Sequence, residues 1–496
     1  MTPLPHIVFD AEEGAALDSV EGTLVVFADG EGTPTEAARA LDAAMGGALG
    51  RALDDASAPI KPGVAETFGW PAGTAARRVV LASLGREPDA QAARRAGGAI
   101  AKALAKGPAT IATAGLDDAL VAALVHALAL RLYDFREYKK ADEDAPEGPR
   151  KLTVLAAKPE ALARSSREMM ALAEGVFFAR DLVNEPANRL TTEEFAARLA
   201  AMGELGLEVE ILGEEDLGRL GMRALLGVGQ GSASETKVVT MRWSGGPEGE
   251  APLALVGKGV VFDTGGISLK PASGMEDMTM DMGGAGTVAG VMRTLALRHA
   301  RANVVGVVGL VENMPDGKAQ RPGDIVKTMK GDTVEIINTD AEGRLLLADV
   351  MWYVQQTYKP TAMVDLATLT GAVIVALGHH NAGFYATDDA FAAEFQAACE
   401  RAGENAWRLP LGRVYADQLK SPKADLKNTG GRHAGSVTAA EFLHAFVEDG
   451  LPWIHIDIAG TATTPNGTDT APKGATGWGV AALDALVRAR AEGQGD

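Results

Sequence analysis

The hydrophobic positions of the first ~150 residues alternate between short apolar runs and longer Ala-rich runs with helical spacing. The apolar runs predict strands at 23–29, 77–85, 109–115 and 152–157. Between them, helices are predicted for the runs TEAARALDAAMG and LVAALVHALALRLYDF. A charged stretch rich in breakers, 137–151, predicts an exposed loop. This alternation is typical of an α/β unit.

A long helical pattern follows from Pro159 to about Leu182, and the elements beyond it are longer. Near-continuous apolar runs predict strands that are buried on both faces, at 253–263, 303–314, 332–338, 361–369 and 453–460. Helical patterns lie between several of these strands, at 285–300, 343–358 and 438–449. The order predicts a large, mostly parallel sheet covered by helices on both sides.

The expected fold class is therefore α/β with two domains. A smaller N-terminal α/β domain would be followed by a larger C-terminal α/β domain whose mostly parallel central sheet is covered by helices. We expect the first domain at 1–158, a connecting helix at 159–182 and the second domain at 183–496. A chain of 496 residues is too long for one ordinary core, which agrees with this division.

Composition and charge narrow the class of protein. Apolar residues make up 47% of the chain, and no run is long enough to span a bilayer or to serve as a signal peptide, so we expect a cytoplasmic protein. The single cysteine, Cys399, cannot form an intramolecular disulfide. With 47 Lys and Arg against 66 Asp and Glu, the net charge of −19 argues against nucleic acid and anionic membranes as partners. Clustered carboxylates in such a chain favour metal cations.

Charged side chains gather where the predicted strands of the second domain end. In parallel sheets, ligands bind beyond the carboxyl ends of the strands. Around those ends lie Lys258, Asp263, Lys270, Asp281, Asp340, Glu342 and Arg344. Asp340, Glu342 and Arg344 alternate in INTDAEGRLLLADV, so an extended segment would place them on one side.

Each of these residues alone has a simpler explanation. An Asp before a helix, such as Asp281, is more often an N-cap, and a Lys in a strand usually reaches solvent. Together, however, crowded carboxylates repel one another and need protons or a cation. No histidine lies in these segments, so the predicted site is rich in oxygen and suits two metal ions that share ligands.

Three segments, VGKGVVFDTGGISLKP, DMGGAG and NTDAEGRLLLADV, resemble those of the leucyl aminopeptidase family, the cytosolic dizinc aminopeptidases of peptidase family M17. RDLVNEPANRLTTEEFA, LATLTGA, GGRHAGSVTAAEFL and WIHIDIAGTA extend the likeness in order from about residue 175 to the C-terminus. The resemblance implies that 183–496 is a catalytic dimetal domain and that the first ~150 residues take the place of the family's variable domain.

The resemblance also implies roles for individual residues. Asp263 and Glu342 would bridge two divalent ions; Lys258 and Asp281 would complete the tighter site, and Asp340 the more exchangeable one. Lys270 would reach the scissile carbonyl oxygen, and Arg344 would hold a bicarbonate ion as general base. The Leu369 main-chain carbonyl would accept a hydrogen bond from the reacting centre. The pocket for the first side chain would be lined by Met278, Thr368, Gly371 and Ala459.

The resemblance therefore implies an enzyme that releases N-terminal Leu and other apolar residues from peptides in a metal-dependent reaction. The metal ions would be Zn²⁺, Mn²⁺, Co²⁺ or Mg²⁺, and the enzyme would assemble as a homohexamer. Two departures from the family, Thr279 in place of a basic residue and Gly286 in place of Ala, affect no proposed ligand. Two alternatives stay open: a fold-retaining nucleic-acid-binding or architectural protein, and another two-metal hydrolase such as a phosphoesterase. The net charge of −19 argues against nucleic-acid binding, and the apolar residues expected in the pocket argue against a phosphoesterase.

Overall fold

The computed structural model describes residues 1–29, 31–55, 61, 63–140 and 150–493. It divides the chain into two compact units. The first comprises Met1–Ala173 with Pro465–Gly474, and the second comprises Glu174–Thr464 with Ala475–Asp496. Most of the loop predicted at 137–151 lies outside the described residues. Among the helices of the described residues, none combines the length and apolar character that crossing a bilayer requires.

The first unit is built on a six-stranded sheet. Its strands are β1 (His6–Ala11), β2 (Gly22–Ala28), β3 (Ala65–Gly69), β4 (Ala76–Ser83), β5 (Ala109–Ala112) and β6 (Lys151–Ala156). They lie in the order β1-β6-β5-β2-β4-β3, and their pairings are parallel except for β3 with β4. Strand predictions for this unit are confirmed to within a few residues.

Helices cover both faces of this sheet: α1 (Glu36–Ala44), α2 (Ala48–Asp55), α3 (Ala90–Ala103) and α4 (Asp118–Arg131). Successive residues of β2 point to opposite faces, so Leu24 packs in the core with α1 while Val25 packs in the core with α3 and α4. In α3, a Cβ on Gly98 would collide with the main chain of Asp469, which belongs to the segment Pro465–Gly474. A residue without a side chain is therefore required at position 98.

The next helix, α5 (Pro159–Asn184), contains the boundary between the units, between Ala173 and Glu174. The sequence places this helix at 159–182, within two residues of its observed end. We retain the expected domain bounds as a proposal. The return of Pro465–Gly474 to the first unit has no counterpart in the hydrophobic pattern.

Strands of the second unit follow one another along the chain as β7 (Glu208–Leu212), β8 (Lys237–Ser244), β9 (Leu253–Asp263), β10 (Asn303–Asn313), β11 (Ile325–Lys327), β12 (Thr333–Glu335), β13 (Ala362–Ala367), β14 (Ala382–Ala386), β15 (Ala406–Arg408), β16 (Leu426–Lys427), β17 (Trp453–Asp457) and β18 (Thr463–Thr464). The short β19 (Gly474–Ala475) begins at the last residue assigned to the first unit. Eight of these strands form one sheet in the order β15-β14-β17-β13-β9-β10-β8-β7. Its central strands β17, β13, β9 and β10 are parallel. The carboxyl ends of these strands therefore lie at one edge.

Helices of the second unit are α6 (Thr192–Ala200), α7 (Glu214–Leu220), α8 (Arg223–Gly229), α9 (Gly283–Leu297), α10 (Gly343–Tyr358), α11 (Gly371–Leu377), α12 (Asp389–Ala402), α13 (Arg413–Ala416), α14 (Gly435–His444) and α15 (Val480–Val487). Shorter helical turns are Leu17–Ser19 in the first unit and Ala201–Leu205, Met275–Met282, Asp417–Leu419 and Arg488–Glu492 in the second. The core of the second unit joins residues of β9 and β10 to those of α10. Cys399 of α12 is buried, as a structural cysteine would be.

The strand predicted at 332–338 is wrong in its length and in its sheet. Only Thr333–Glu335 is a strand, and β12 pairs with β11 and β16 in a separate three-stranded sheet. The expected extended segment at 340–344 is also wrong, because a turn at Asp340 leads directly into α10, where Glu342 occupies the N-cap with helical φ and ψ of −84° and −37°. Spacing by two therefore does not place these side chains on one side of a strand.

Candidate metal centre

The carboxyl edge of the large sheet brings the predicted site residues together around one cavity of about 710 Å³. Its lining includes Lys258, Asp263, Lys270, Met278, Asp281, Asp340, Glu342, Arg344, Thr368, Leu369, Gly371 and Ala459. They come from β9 and the loop that follows it, from the turn Met275–Met282, from the carboxyl ends of β13 and β17, and from the segments where α10 and α11 begin. Every predicted metal, catalytic and substrate-pocket residue therefore borders the same space.

Lys258 is buried in β9 with its ammonium group between two carboxylates. Its Nζ lies 2.8 Å from Asp281 Oδ1 and 2.8 Å from Glu342 Oε1, and it donates to the carbonyl oxygen of Thr368 at 3.0 Å. Burial alone would lower the pKa of Lys258, but the neighbouring carboxylates outweigh burial and raise it. A Cβ on Gly343 would lie 2.7 Å from the Lys258 side chain, so glycine at the first position of α10 allows this approach.

Lys270 forms a second cationic contact at the open side of the site. Its Nζ lies 2.9 Å from Asp263 Oδ2 and 2.5 Å from Asp340 Oδ1, and 22% of its side chain is exposed. Burial would lower the pKa of Lys270, yet the charges of Asp263, Glu342 and Asp340 raise it. Lys270 is therefore a cation that faces both the carboxylates and the cavity.

The carboxylates form a compact group with unused oxygen atoms. One oxygen from each of Asp263, Asp340 and Glu342 lies within 4.8 Å of the other two. Burial raises the pKa of Asp281, Asp340 and Glu342 despite the lysines beside them. Within the described part of the chain, Asp281 Oδ2 and Glu342 Oε2 are buried without a hydrogen-bond partner. Oxygen atoms with spare lone pairs in a crowded acidic site fit divalent cations.

Asp281 does not cap α9, as its simpler explanation would require. The N-cap of α9 is Met282, which makes no side-chain capping bond, and Asp281 Oδ1 instead accepts from Thr368 Oγ1 at 2.8 Å. Together with the Lys258 contact, this bond fixes the carboxylate toward the centre of the site.

Arg344 lies in the first turn of α10 and is almost completely buried. Its Nη1 donates to the main-chain oxygen of Asn428 at 2.9 Å, whereas its Nε, among the residues described, has no hydrogen-bond partner. Burial lowers the pKa of Arg344 to about 10, against the opposing charges of Glu342 and Asp457. A buried guanidinium with an unused donor beside a cavity suits an anion.

Several residues that position the site were missed by the sequence reading. Asn313, the last residue of β10, donates from Nδ2 to Asp263 Oδ1 at 2.8 Å and to the Thr339 carbonyl at 3.1 Å. Asp457, the last residue of β17, accepts from the main-chain N–H groups of Leu369 and Ala459. Both stand at carboxyl ends of central strands, so the rule that located Asp263 could have found them.

Two family models match the chain over most of its length. The model described as cytosol aminopeptidase family, catalytic domain, matches residues 177–484, and the corresponding N-terminal domain model matches residues 25–142. The chain belongs to the cytosol aminopeptidase family. It is thus a metal-dependent aminopeptidase of peptidase family M17, and the family named from the sequence is confirmed.

Relatives of this aminopeptidase match it from end to end. "Probable cytosol aminopeptidase" of Cereibacter sphaeroides is 58% identical over 487 residues, which cover 98% of each chain. The protein of the same name from Dinoroseobacter shibae is 56% identical over 494 residues, covering 99% of this chain and all of its own. The sequence similarity therefore extends over both domains of the aminopeptidase chain.

A solved structure titled "Bottromycin maturation enzyme BotP in complex with Mn" superposes with a TM-score of 0.83 at 33% identity, covering 96% of this chain and 99% of its own. A second BotP structure gives the same TM-score at 34% identity. The manganese named for that enzyme, the M17 family and the grouped carboxylates together point to divalent metal cofactors for this aminopeptidase.

Proposed function

We propose that this aminopeptidase releases N-terminal Leu and other mainly apolar residues from peptides with two divalent metal ions per subunit, as a leucyl aminopeptidase does. The observation that carries the proposal is the group of Asp263, Asp340 and Glu342 oxygen atoms within 4.8 Å, open to a cavity of about 710 Å³. Three carboxylates at that separation can share two ions.

The proposed ligands are Lys258, Asp263, Asp281, Asp340 and Glu342. Bound divalent ions would supply a hydroxide nucleophile near neutral pH and polarise the peptide carbonyl. Lys258 can act as a ligand only as a neutral amine, so metal binding has to displace the proton that Asp281 and Glu342 now stabilise. Zn²⁺, Mn²⁺, Co²⁺ and Mg²⁺ all accept such a ligand set.

Two cations of the chain would act on the substrate and on the general base. The Lys270 ammonium, which borders the cavity, would stabilise the negative charge that develops on the scissile carbonyl oxygen. Arg344 would hold bicarbonate through Nε, and that anion would take the proton of the nucleophile. The Leu369 carbonyl would orient the reacting centre.

The cavity supports a preference for apolar first residues. Met278, Thr368, Gly371 and Ala459 would contact the side chain of the first residue. Met275, Met280 and Ile374 border the same cavity and add apolar surface. One methylene changes selectivity by only about 10–200-fold in such pockets, so a broad range of substrates is expected.

The test is hydrolysis of Leu-p-nitroanilide by the full-length protein with Mn²⁺ or Zn²⁺, before and after chelation. Glu342→Gln keeps the size of the side chain and removes its charge, and Glu248→Gln is the matched control at an exposed position. We expect activity to require metal and to be lost in Glu342→Gln but retained in Glu248→Gln. Full activity after chelation, or in Glu342→Gln, would refute the proposal.

The remaining expectations are proposals of the same kind. We expect a homohexamer in light scattering and a cytoplasmic location in fractionated cells; a monomer would contradict the first. A fold-retaining nucleic-acid-binding or architectural role has no support from the family or its named relatives. It would replace the proposal only if the protein shifted duplex DNA and cleaved no peptide substrate.

A further inference from the structure

Asn428 is a fully buried residue that directly follows β16. Its main-chain N–H donates to the carbonyl of Glu335 at 3.0 Å, which continues the pairing of β16 with β12. The small three-stranded sheet therefore fixes the backbone of Asn428 beside the segment that leads to Asp340.

The side-chain amide of Asn428 holds that segment through four hydrogen bonds. Oδ1 accepts from the main-chain N–H groups of Ile337 and Asn338 at 2.8 and 3.3 Å. Nδ2 donates to the carbonyls of Asn338 and Ala341 at 2.6 and 3.3 Å. Donors face the oxygen and acceptors face the nitrogen, so the orientation of the amide is determined by its partners.

The segment 336–342 needs such a partner because it is neither strand nor helix. β12 ends at Glu335 and α10 begins at Gly343, so its buried backbone groups cannot pair within a regular element. Asp340 lies between the two carbonyls that Asn428 holds. Asn313 and Ser268 also hold this segment through Thr339, and the Asn428 amide adds the contacts on either side of Asp340.

The main chain of Asn428 makes the other connection, since its carbonyl oxygen accepts from Arg344 Nη1 at 2.9 Å. One residue thus contacts the turn that carries Asp340 on one side and the guanidinium of Arg344 on the other. We propose that Asn428 is a positioning residue, which holds Asp340 and Arg344 in register for metal binding and for the general base. This inference rests on the proposed two-metal function.

The test compares Asn428→Ala with Asn303→Ala in the full-length protein. Asn303 also holds a loop through its amide, with bonds to Pro247, Glu250 and Gly246, but it lies at the opposite end of β10, roughly 33 Å from the site edge. Mn²⁺ binding is measured by calorimetry after chelator removal, together with kcat and KM for Leu-p-nitroanilide.

We expect Asn428→Ala to bind its weaker Mn²⁺ ion ~10–100-fold less tightly, as loss of an outer hydrogen bond does at metal sites. The kcat of Asn428→Ala should fall while its KM stays nearly unchanged, and saturating Mn²⁺ should restore part of the lost kcat. Asn303→Ala should match the wild type in Mn²⁺ affinity, kcat and KM. If Asn428→Ala does not fold, the isosteric Asn428→Asp replaces it, because its carboxylate would oppose the Asn338 and Ala341 carbonyls.

A folded Asn428 variant that binds Mn²⁺ as tightly as the wild type would overturn the assignment. So would a loss of Mn²⁺ affinity in Asn303→Ala as large as the loss in Asn428→Ala. Failure of both Asn428 variants to fold would make the residue structural and would overturn it too. A wild-type protein that binds no Mn²⁺ and cleaves no peptide would reject the proposed function itself, which separates the two failures.

Discussion

Replacing Lys258 by Ala should destabilise the second unit when a chelator is present. The Lys258 ammonium is 2.8 Å from carboxylate oxygens of both Asp281 and Glu342, and all three residues are buried. At an effective dielectric constant of ~20, each contact is a gross attraction of about 6 kcal/mol, which desolvation offsets in large part. Removing the cation leaves uncompensated buried carboxylates, so we expect the free energy of unfolding to fall by ~3–5 kcal/mol.

Chemical denaturation followed by tryptophan fluorescence measures this change. Most of the tryptophans lie in the second unit, at Trp243, Trp352, Trp407, Trp453 and Trp478. Lys420→Ala is the control, because Lys420 makes a 2.7 Å contact with Asp417 while its side chain is 70% exposed. Loss of this exposed pair should leave the free energy of unfolding nearly unchanged, because solvent and salt screen the two charges.

Equal denaturation midpoints for Lys258→Ala and Lys420→Ala would refute the reasoning.

The pH dependence of the stability of Lys258→Ala gives a second check. Burial already raises the pKa of Asp281 and Glu342, and loss of Lys258 raises both further, so the folded variant takes up protons more readily than the unfolded chain. The loss of unfolding free energy in Lys258→Ala should therefore be largest at alkaline pH and should shrink as the pH falls and these two carboxylates take up protons.

Three further predictions concern α10. Burial raises the pKa of Asp349 to about 7 although three main-chain N–H groups donate to it. Because this pKa is higher in the folded state than in the unfolded state, the contribution of Asp349 to stability is present below about pH 4 and is lost as the pH rises to about 7. Denaturation of Asp349→Asn should lack this pH-dependent part of the unfolding free energy. Gly343→Ala should lower kcat at least ~10-fold by displacing Lys258, and an active Gly343→Ala with wild-type Mn²⁺ affinity would contradict the close approach. Arg344→Met should lower kcat at least ~10-fold and abolish stimulation by added bicarbonate, whereas retained stimulation would place the anion elsewhere.

The sequence predicts best those parts of the site that lie on long buried strands. The apolar run 253–263 coincides with β9, so Lys258 and Asp263 were assigned to the correct strand and edge. The apolar run at 303–314 exceeds β10 by one residue, because burial on both faces leaves an uninterrupted apolar pattern, and the helical pattern at 343–358 coincides with α10.

The residues between β12 and α10 were predicted less well for a physical reason. Alternation of Asp340, Glu342 and Arg344 looks like a strand, but Gly343 starts a helix there, and tertiary contacts decide the backbone of so short a segment. The role of Asn428 cannot be predicted from the sequence pattern, because its partners lie 84–91 residues earlier in the chain and no periodicity indicates such hydrogen bonds.

The contribution of Pro465–Gly474 to the first unit limits how this protein can be recombined with its relatives. A chimera that exchanges only the residues before Ala173 would combine a foreign α3 with the native Asp469. A donor with any larger residue in place of Gly98 would then collide with that main chain. The N-terminal unit therefore cannot be exchanged as one continuous segment. A functional exchange has to transfer Met1–Ala173 and Pro465–Gly474 together.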